Sequence, residues 1–197
     1  MKRWDIMNAY IDKLGYKDYL EIGLCSGICR DSVNAKNKTT VDPSDKTDNP
    51  THLMTSDAFF SQNEGMFDIV FIDGLHEANQ VYKDILNALD CLKEGGTIFC
   101  HDMLPTSEAI QAVPRVSALW TGDCWKAWAK LRASRNDLSM YIVESDWGVG
   151  VIQKGKQNIE SEMDLPFEKM NWELFCKWGD KMNKVDVNAF NQRVLNL

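Results

Sequence analysis

Residues Tyr19-Leu20-Glu21-Ile22-Gly23-Leu24-Cys25-Ser26-Gly27 leave few choices of fold. A short apolar run ends in an acid and then breaks into two glycines four apart, ahead of a helix-compatible stretch at 28–36. That pattern reads as a buried strand turning tightly into a helix. Glycine tolerates positive φ and lets a ligand approach where a Cβ would collide, and the helix that follows offers unpaired N–H groups. Neither G-x-G-x-x-G nor a Gly-Lys-Ser/Thr ending is present, so the turn does not look built for phosphate. Glu21 suits a cationic or hydroxyl-bearing ligand instead. The plain alternative is an ordinary strand-to-helix turn.

Further apolar strands with polar tips follow. Lys38 to Val41 is a short strand that stops at Asp42-Pro43, because proline cannot continue a ladder. Asp42 then sits at a strand tip some twenty residues past Glu21, placed to accept hydrogen bonds from both hydroxyls of a ribose. His52 to Asp57 reads as a third strand running into a helix capped by Thr55 or Ser56. Met66 to Ile72 is almost wholly apolar, as a central parallel strand buried on both faces requires. It ends in Asp73-Gly74, with His76 three residues past the acid. A helix with Val81, Ile85, Ala88, Leu89 and Leu92 on one face is expected to stop at Gly95-Gly96. Thr97 to Cys100 is the next buried strand, tipped by His101-Asp102.

Two successive strands joined by a right-handed crossover are expected to be neighbours, so Asp73, His76, His101 and Asp102 converge where open parallel sheets bind ligands. Strand-end acids often cap turns, and a lone histidine is commonly structural. Two of each at adjacent tips instead suit a hard divalent cation.

The rest of the chain is less regular. Trp4, Met7, Ile11 and Leu14 give a first helix one apolar face, which Gly15 ends; it is expected on the sheet edge or over the ligand site. Trp120, Trp125 and Trp128 suit either a lid over an amphipathic acceptor or core filling, since Trp125 and Trp128 share a helix face. Trp120 and Lys126 are the candidates to line a pocket. Met140–Glu144 and Trp147–Gln153 form a closing hairpin around Ser145-Asp146. From Lys154 to Met163 the chain reads as polar linker. The apolar residues of the helical extension beyond it, among them Val187, Phe190 and Val194, need cover from the body or from a second subunit.

Composition narrows the function. With 197 residues the chain fits one domain holding a full sheet. A net charge of −7 disfavours a nucleic-acid partner, whose affinity depends on basic surface. The six cysteines have no zinc-ligand spacing, which points to a reducing, cytoplasmic setting. No stretch approaches a membrane span or an export signal.

Together, Glu21-Ile22-Gly23-Leu24-Cys25-Ser26-Gly27, Val41-Asp42-Pro43, Thr55-Ser56-Asp57, Phe71-Ile72-Asp73-Gly74-Leu75-His76, Gly95-Gly96-Thr97-Ile98-Phe99-Cys100-His101-Asp102 and Asp146-Trp147-Gly148-Val149-Gly150 resemble, in order and spacing, the class I S-adenosylmethionine (SAM) methyltransferases. Within them the chain is similar to the metal-dependent O-methyltransferases related to the macrolide-sugar methyltransferases and the cephalosporin hydroxylase-like group. The resemblance implies an α/β, doubly wound, mostly parallel sheet of seven strands with helices on both faces. It implies that Glu21, Gly23 and Gly27 hold the methionine part of SAM, Asp42 the ribose and Asp57 the adenine, with Ser26, Ser56 and Asp73 also among the cofactor-binding residues. Asp73, Asp102 and His101 would hold Mg2+ or Mn2+. Cys25 and His101 depart from the usual pattern, which leaves the loop conformation and the ligand set open.

The expected reaction is methyl transfer to a hydroxyl of a small molecule or glycan, with His76 as base and Asp73 as the alternative. Two other readings stand beside it. One is a metal-independent small-molecule methyltransferase; the other is a SAM-binding or assembly module without catalysis. Under each, a homo-oligomer is open as the cover for the apolar tail.

Overall fold

The computed structural model describes residues 1–197. Helix α1 (Arg3–Leu14) buries Ile6, Met7, Tyr10 and Ile11 and ends at Gly15, whose φ of +70° continues no helix. The buried face is rotated from the expected one: Leu14 is exposed and Tyr10 takes an inner place. Tyr10 packs edge-on to Phe99 and shares a 2.7 Å hydrogen bond with the Tyr141 hydroxyl. An aromatic ring with a polar tip can be buried once that tip has a partner.

The chain continues through β1 (Asp18–Ile22), α2 (Ile28–Ser32), β2 (Asn37–Asp42), β3 (His52–Leu53), α3 (Ser56–Gln62), β4 (Phe67–Ile72), α4 (Ala78–Asp90) and β5 (Leu92–Cys100). After β5 come α5 (Glu108–Gln111), α6 (Trp125–Ser134), β6 (Leu138–Val143), β7 (Val149–Lys154), α7 (Trp172–Lys177), β8 (Lys184–Val185) and α8 (Val187–Leu195). One sheet holds all the strands in the order β3-β2-β1-β4-β5-β7-β6-β8. Strands β1 to β5 pair in parallel, and β7 runs antiparallel to β5 and β6. The order reverses between β1 and β4, which opens a crevice at their carboxyl ends.

Alternation along the central strands supplies both cores. Val70 and Ile72 of β4 join Leu20, Ile22, Ile98 and Cys100 under α4 and α6. Ile69 and Phe71 face the other way, with Tyr19, Phe99, Val149 and Val151 beneath α1 and α8. No helix is long and apolar enough to cross a membrane, and all six cysteines are free.

Three expectations need correction. The sheet has eight strands rather than seven, because Lys184–Val185 in the tail pairs in parallel with Ile142–Val143; two residues are too few to show an alternation. Helix α4 stops at Asp90, and Gly95-Gly96 lie inside β5. There the register with β4 shifts, and a Cβ on Gly96 would press on the Leu92 side chain and the Asp68 carbonyl. Residues 154–163 are not a free linker. The Gln157 amide donates to the carbonyl of Arg135 at 2.7 Å, and Met163 is fully buried. The body covers part of the tail, with Trp178, Met182 and Phe190 in the two cores, while Leu195 and Leu197 at the end of α8 and beyond it are exposed.

Candidate active site

Backbone pairing carries the strand tips forward in register. The Asp73 N–H donates to the Ile22 carbonyl at 2.8 Å, and the His101 N–H donates to that of Ile72 at 3.0 Å. Asp73 and His101 therefore leave the sheet side by side. A Cβ on Gly23 would collide with the Asp73 carbonyl, so glycine at the β1 tip is what lets the β4 tip close against it. Asp102 has φ +63°, a left-handed conformation uncommon outside glycine. Strain of this kind gathers at functional sites.

The four expected residues converge. His76 Nε2 lies 3.3 Å from Asp73 Oδ1, and its Nδ1 lies 3.1 Å from Asp102 Oδ2. His101 Nδ1 sits 3.2 Å from Asp73 Oδ1 and 3.1 Å from Asp102 Oδ1. Asp73, His76 and Asp102 each present one potential ligand atom, all within 4.8 Å of one another. Burial alone would raise the pKa of Asp73, but the two histidines outweigh it and hold the acid well below the usual carboxylate range. Burial likewise opposes charge on His76, and the two acids reverse it to a net upward shift.

Arg3, from the first turn of α1, completes the cluster. Its Nη1 lies 2.7 Å from His101 Nε2 and 3.1 Å from Asp146 Oδ2. Asp146 also accepts the Arg3 backbone N–H at 3.0 Å and the Lys2 ammonium at 3.2 Å, so the β6–β7 turn clamps the start of α1. Burial works against a charge on His101, while Asp73 and Asp102 pull its pKa upward. A guanidinium can only donate, so a hydrogen bond across this 2.7 Å requires a neutral His101 that accepts at Nε2 and keeps its proton on Nδ1, a form that the upward pull of Asp73 and Asp102 works against.

A cavity of about 330 Å³ opens over these groups, lined by Arg3, Cys25, Asp73, His76, His101, Asp102, Arg115, Ala118, Leu119, Trp120, Thr121 and Trp147. Its roof is the segment between α5 and α6. Trp120 stacks on His76 with ring centres 5.2 Å apart, and its indole N–H donates to the Ala112 carbonyl at 2.7 Å. Gly122 has φ +59° and a Cβ there would strike the His76 carbonyl, so the roof rests on the β4–α4 loop. Asp123 accepts the Ala78 N–H at 2.7 Å and caps α4 from a distance, where Glu77 supplies no cap of its own.

The other expected residues divide. Cys25 brings the glycine turn to the cavity wall, but Glu21, Gly23, Ser26, Gly27, Asp42, Ser56 and Asp57 do not line it. Glu21 is buried behind the turn, accepting the Tyr19 hydroxyl at 2.8 Å, and burial pushes its pKa up to about 8. Asp42 is held by the N–H groups of Leu24 at 2.9 Å and Ser44 at 2.9 Å, bracing the turn from the β2 tip. Ser56 and Asp57 both meet Gln80 at 3.1 Å, and Asp57 pairs with Lys83 at 2.6 Å, facing α4. Lys126 pairs with Asp123 at 2.9 Å, while Trp125 and Trp128 are core. Arg3, Arg115 and Trp147 were missed as site residues. Arg3 was legible only as the polar start of an amphipathic helix, and nothing local says that such a start reaches the sheet centre.

A family model described as "Methyltransferase domain" matches residues 49–103, from β3 to just past the β5 tip. No curated protein matches the chain. Among solved structures, a methyltransferase of Podospora anserina bound to S-adenosylhomocysteine (SAH) shares 18% identity at a TM-score of 0.54, over 78% of this chain and 77% of that one. An O-methyltransferase from Bacillus cereus in complex with SAH gives 16% and 0.52, over 75% and 77%. The O-methyltransferase TomG of Streptomyces achromogenes, involved in tomaymycin synthesis and in complex with SAM, gives 12% and 0.56, over 76% and 78%. With the strand order and the tip residues above, these likenesses make the fold that of the class I SAM-dependent methyltransferases.

Proposed function

We propose that the protein is a SAM-dependent O-methyltransferase whose acceptor hydroxyl is activated at Asp73, His76 and Asp102. The observation that carries this reading is the meeting of one oxygen or nitrogen from each of these residues at the carboxyl ends of β4 and β5, next to the switch point of the sheet. Two carboxylates and an imidazole suit Mg2+ or Mn2+, and the 3.3 Å between His76 Nε2 and Asp73 Oδ1 is close to the edge of an octahedron with bonds of about 2.1 Å. Such a cation, when bound, lowers the pKa of a hydroxyl and fixes its orientation.

The chain's own groups divide the remaining work. His101 Nδ1 faces Asp73 and Asp102 at 3.2 and 3.1 Å and donates to them as imidazolium or as the Nδ1–H tautomer, so His101 orients the two acids. His76 takes the ligand role expected of His101. Its Nδ1 can donate to Asp102 or to the Trp120 carbonyl 3.3 Å away, which leaves the Nε2 lone pair facing Asp73. That same lone pair supports the second reading, in which His76 is a general base without a cation. The flat walls of Trp120 and Trp147 suit a ring-bearing acceptor such as a sugar, a glycan or another small hydroxyl compound. Holding donor and acceptor in line accounts for much of the acceleration.

Incubation with methyl-labelled SAM and a panel of sugars and phenols tests the proposal. Label should pass to a hydroxyl, EDTA should abolish transfer, and Mn2+ should restore it while SAH binding is unchanged. Transfer indifferent to EDTA but lost in His76→Ala would favour the base reading. SAH binding with no transfer to any acceptor would favour the non-catalytic module.

A further inference from the structure

We propose that Arg3 is a SAM-binding residue, its guanidinium receiving the carboxylate of the cofactor's amino-acid end. This rests on the SAM reading above and adds a residue outside the strand tips. The guanidinium is engaged on one side only: Nη1 serves His101 and Asp146. Nε is buried and is the one buried side-chain polar atom of the protein without a hydrogen-bond partner. Asp73 Oδ2, the nearest acid to it, is 3.8 Å away, beyond hydrogen-bond reach. Nη2 makes no hydrogen bond either, so the whole Nε–Nη2 edge is without a hydrogen-bond partner.

A buried unpaired donor is costly and calls for an explanation. Two parallel N–H groups on one planar edge match the two oxygens of a carboxylate, the geometry for which arginine is best suited. Arg3 also borders the same cavity as Cys25, the residue through which the glycine turn reaches it. A ligand lying against that turn would therefore present its charged end to Arg3. An acceptor carboxylate offers the same chemistry, and only the cofactor source is proposed.

The test compares SAH with its decarboxylated analogue, which keeps the amine and loses the carboxylate, by titration calorimetry on wild-type, Arg3→Met and Arg3→Lys proteins. Wild type should prefer SAH by about tenfold to a hundredfold, as expected for a charge-assisted bidentate contact. Arg3→Met should shrink that preference to within about threefold, the loss falling on SAH, and Arg3→Lys should lie between. A preference that survives in Arg3→Met, or is absent from wild type while both ligands bind, overturns the assignment. Failure of wild type to bind SAH at all removes the SAM reading and this inference with it. Should Arg3→Met not fold, Arg3→Lys keeps a cation near Asp146 but not the paired edge, and an undiminished preference there overturns the assignment equally.

Discussion

Glu21 shows how one position can answer to two demands. It lies 1% exposed at the end of the strand that feeds the glycine turn. Burial raises its pKa from 4.5 to about 8, against the help of the Tyr19 hydroxyl. Its folded-state pKa is thus above its unfolded value, and between about pH 4.5 and 8 the folded protein holds a proton that the unfolded chain has released. Stability should therefore fall as pH rises through that window and level off above it. Glu21→Gln mimics the protonated form, so it should match wild type near pH 4 and be more stable at pH 8.5 by on the order of a few kcal/mol. Urea unfolding at the two pH values checks this, and equal stability at both would show that the carboxyl is ionised in place. The role of Asp42 is equally local. Its position at a strand tip was readable from the proline after it, but its partners at Leu24 and Ser44 were not, since backbone amides leave no mark in a residue pattern.

The elements that meet at the cavity are held by contacts between segments far apart in the chain. Helix α1 is pinned to the β6–β7 turn through Asp146, whose side chain is 4% exposed. Asp146→Ala should cost about 2–4 kcal/mol, because it removes a buried charge and strands Arg3. Amide hydrogen exchange across the first turn of α1 should speed up in parallel, and unchanged protection there would mean that the helix is held by its apolar face alone. Helix α6 makes a different kind of join. Trp128 is fully buried, donates its indole N–H to the Met182 carbonyl at 3.0 Å, and lies where a Cβ on Gly150 of β7 would be. Trp128→Ala should lower stability by about 3–5 kcal/mol, read as a lower urea midpoint at an unchanged slope. The sequence left Trp120 and Trp125 with the same two candidate roles. Only the packing separated the one that stacks on His76 from the one that fills the core.

Across the protein, the tail completes the sheet and both cores. Removing residues 184–197 deletes β8 and Phe190, which packs 6.4 Å from the Tyr10 ring. The shortened chain should melt at least roughly 10 °C lower; an unchanged melting temperature would make the tail an appendage. The parallel strands, the adjacency of β4 and β5 and the polar character of the strand tips were legible in the chain because burial on both faces demands long apolar runs and because ligands gather where those runs end. Asp73, His76, His101 and Asp102 could be named on that ground. Residue order carried no trace of Arg3 beside His101, of Asp146 holding the start of α1, or of which histidine nitrogen faces which acid. Those depend on distances between groups separated by as many as 143 positions in the chain, and a hydrogen bond is decided within a few tenths of an ångström, which only the packed protein fixes.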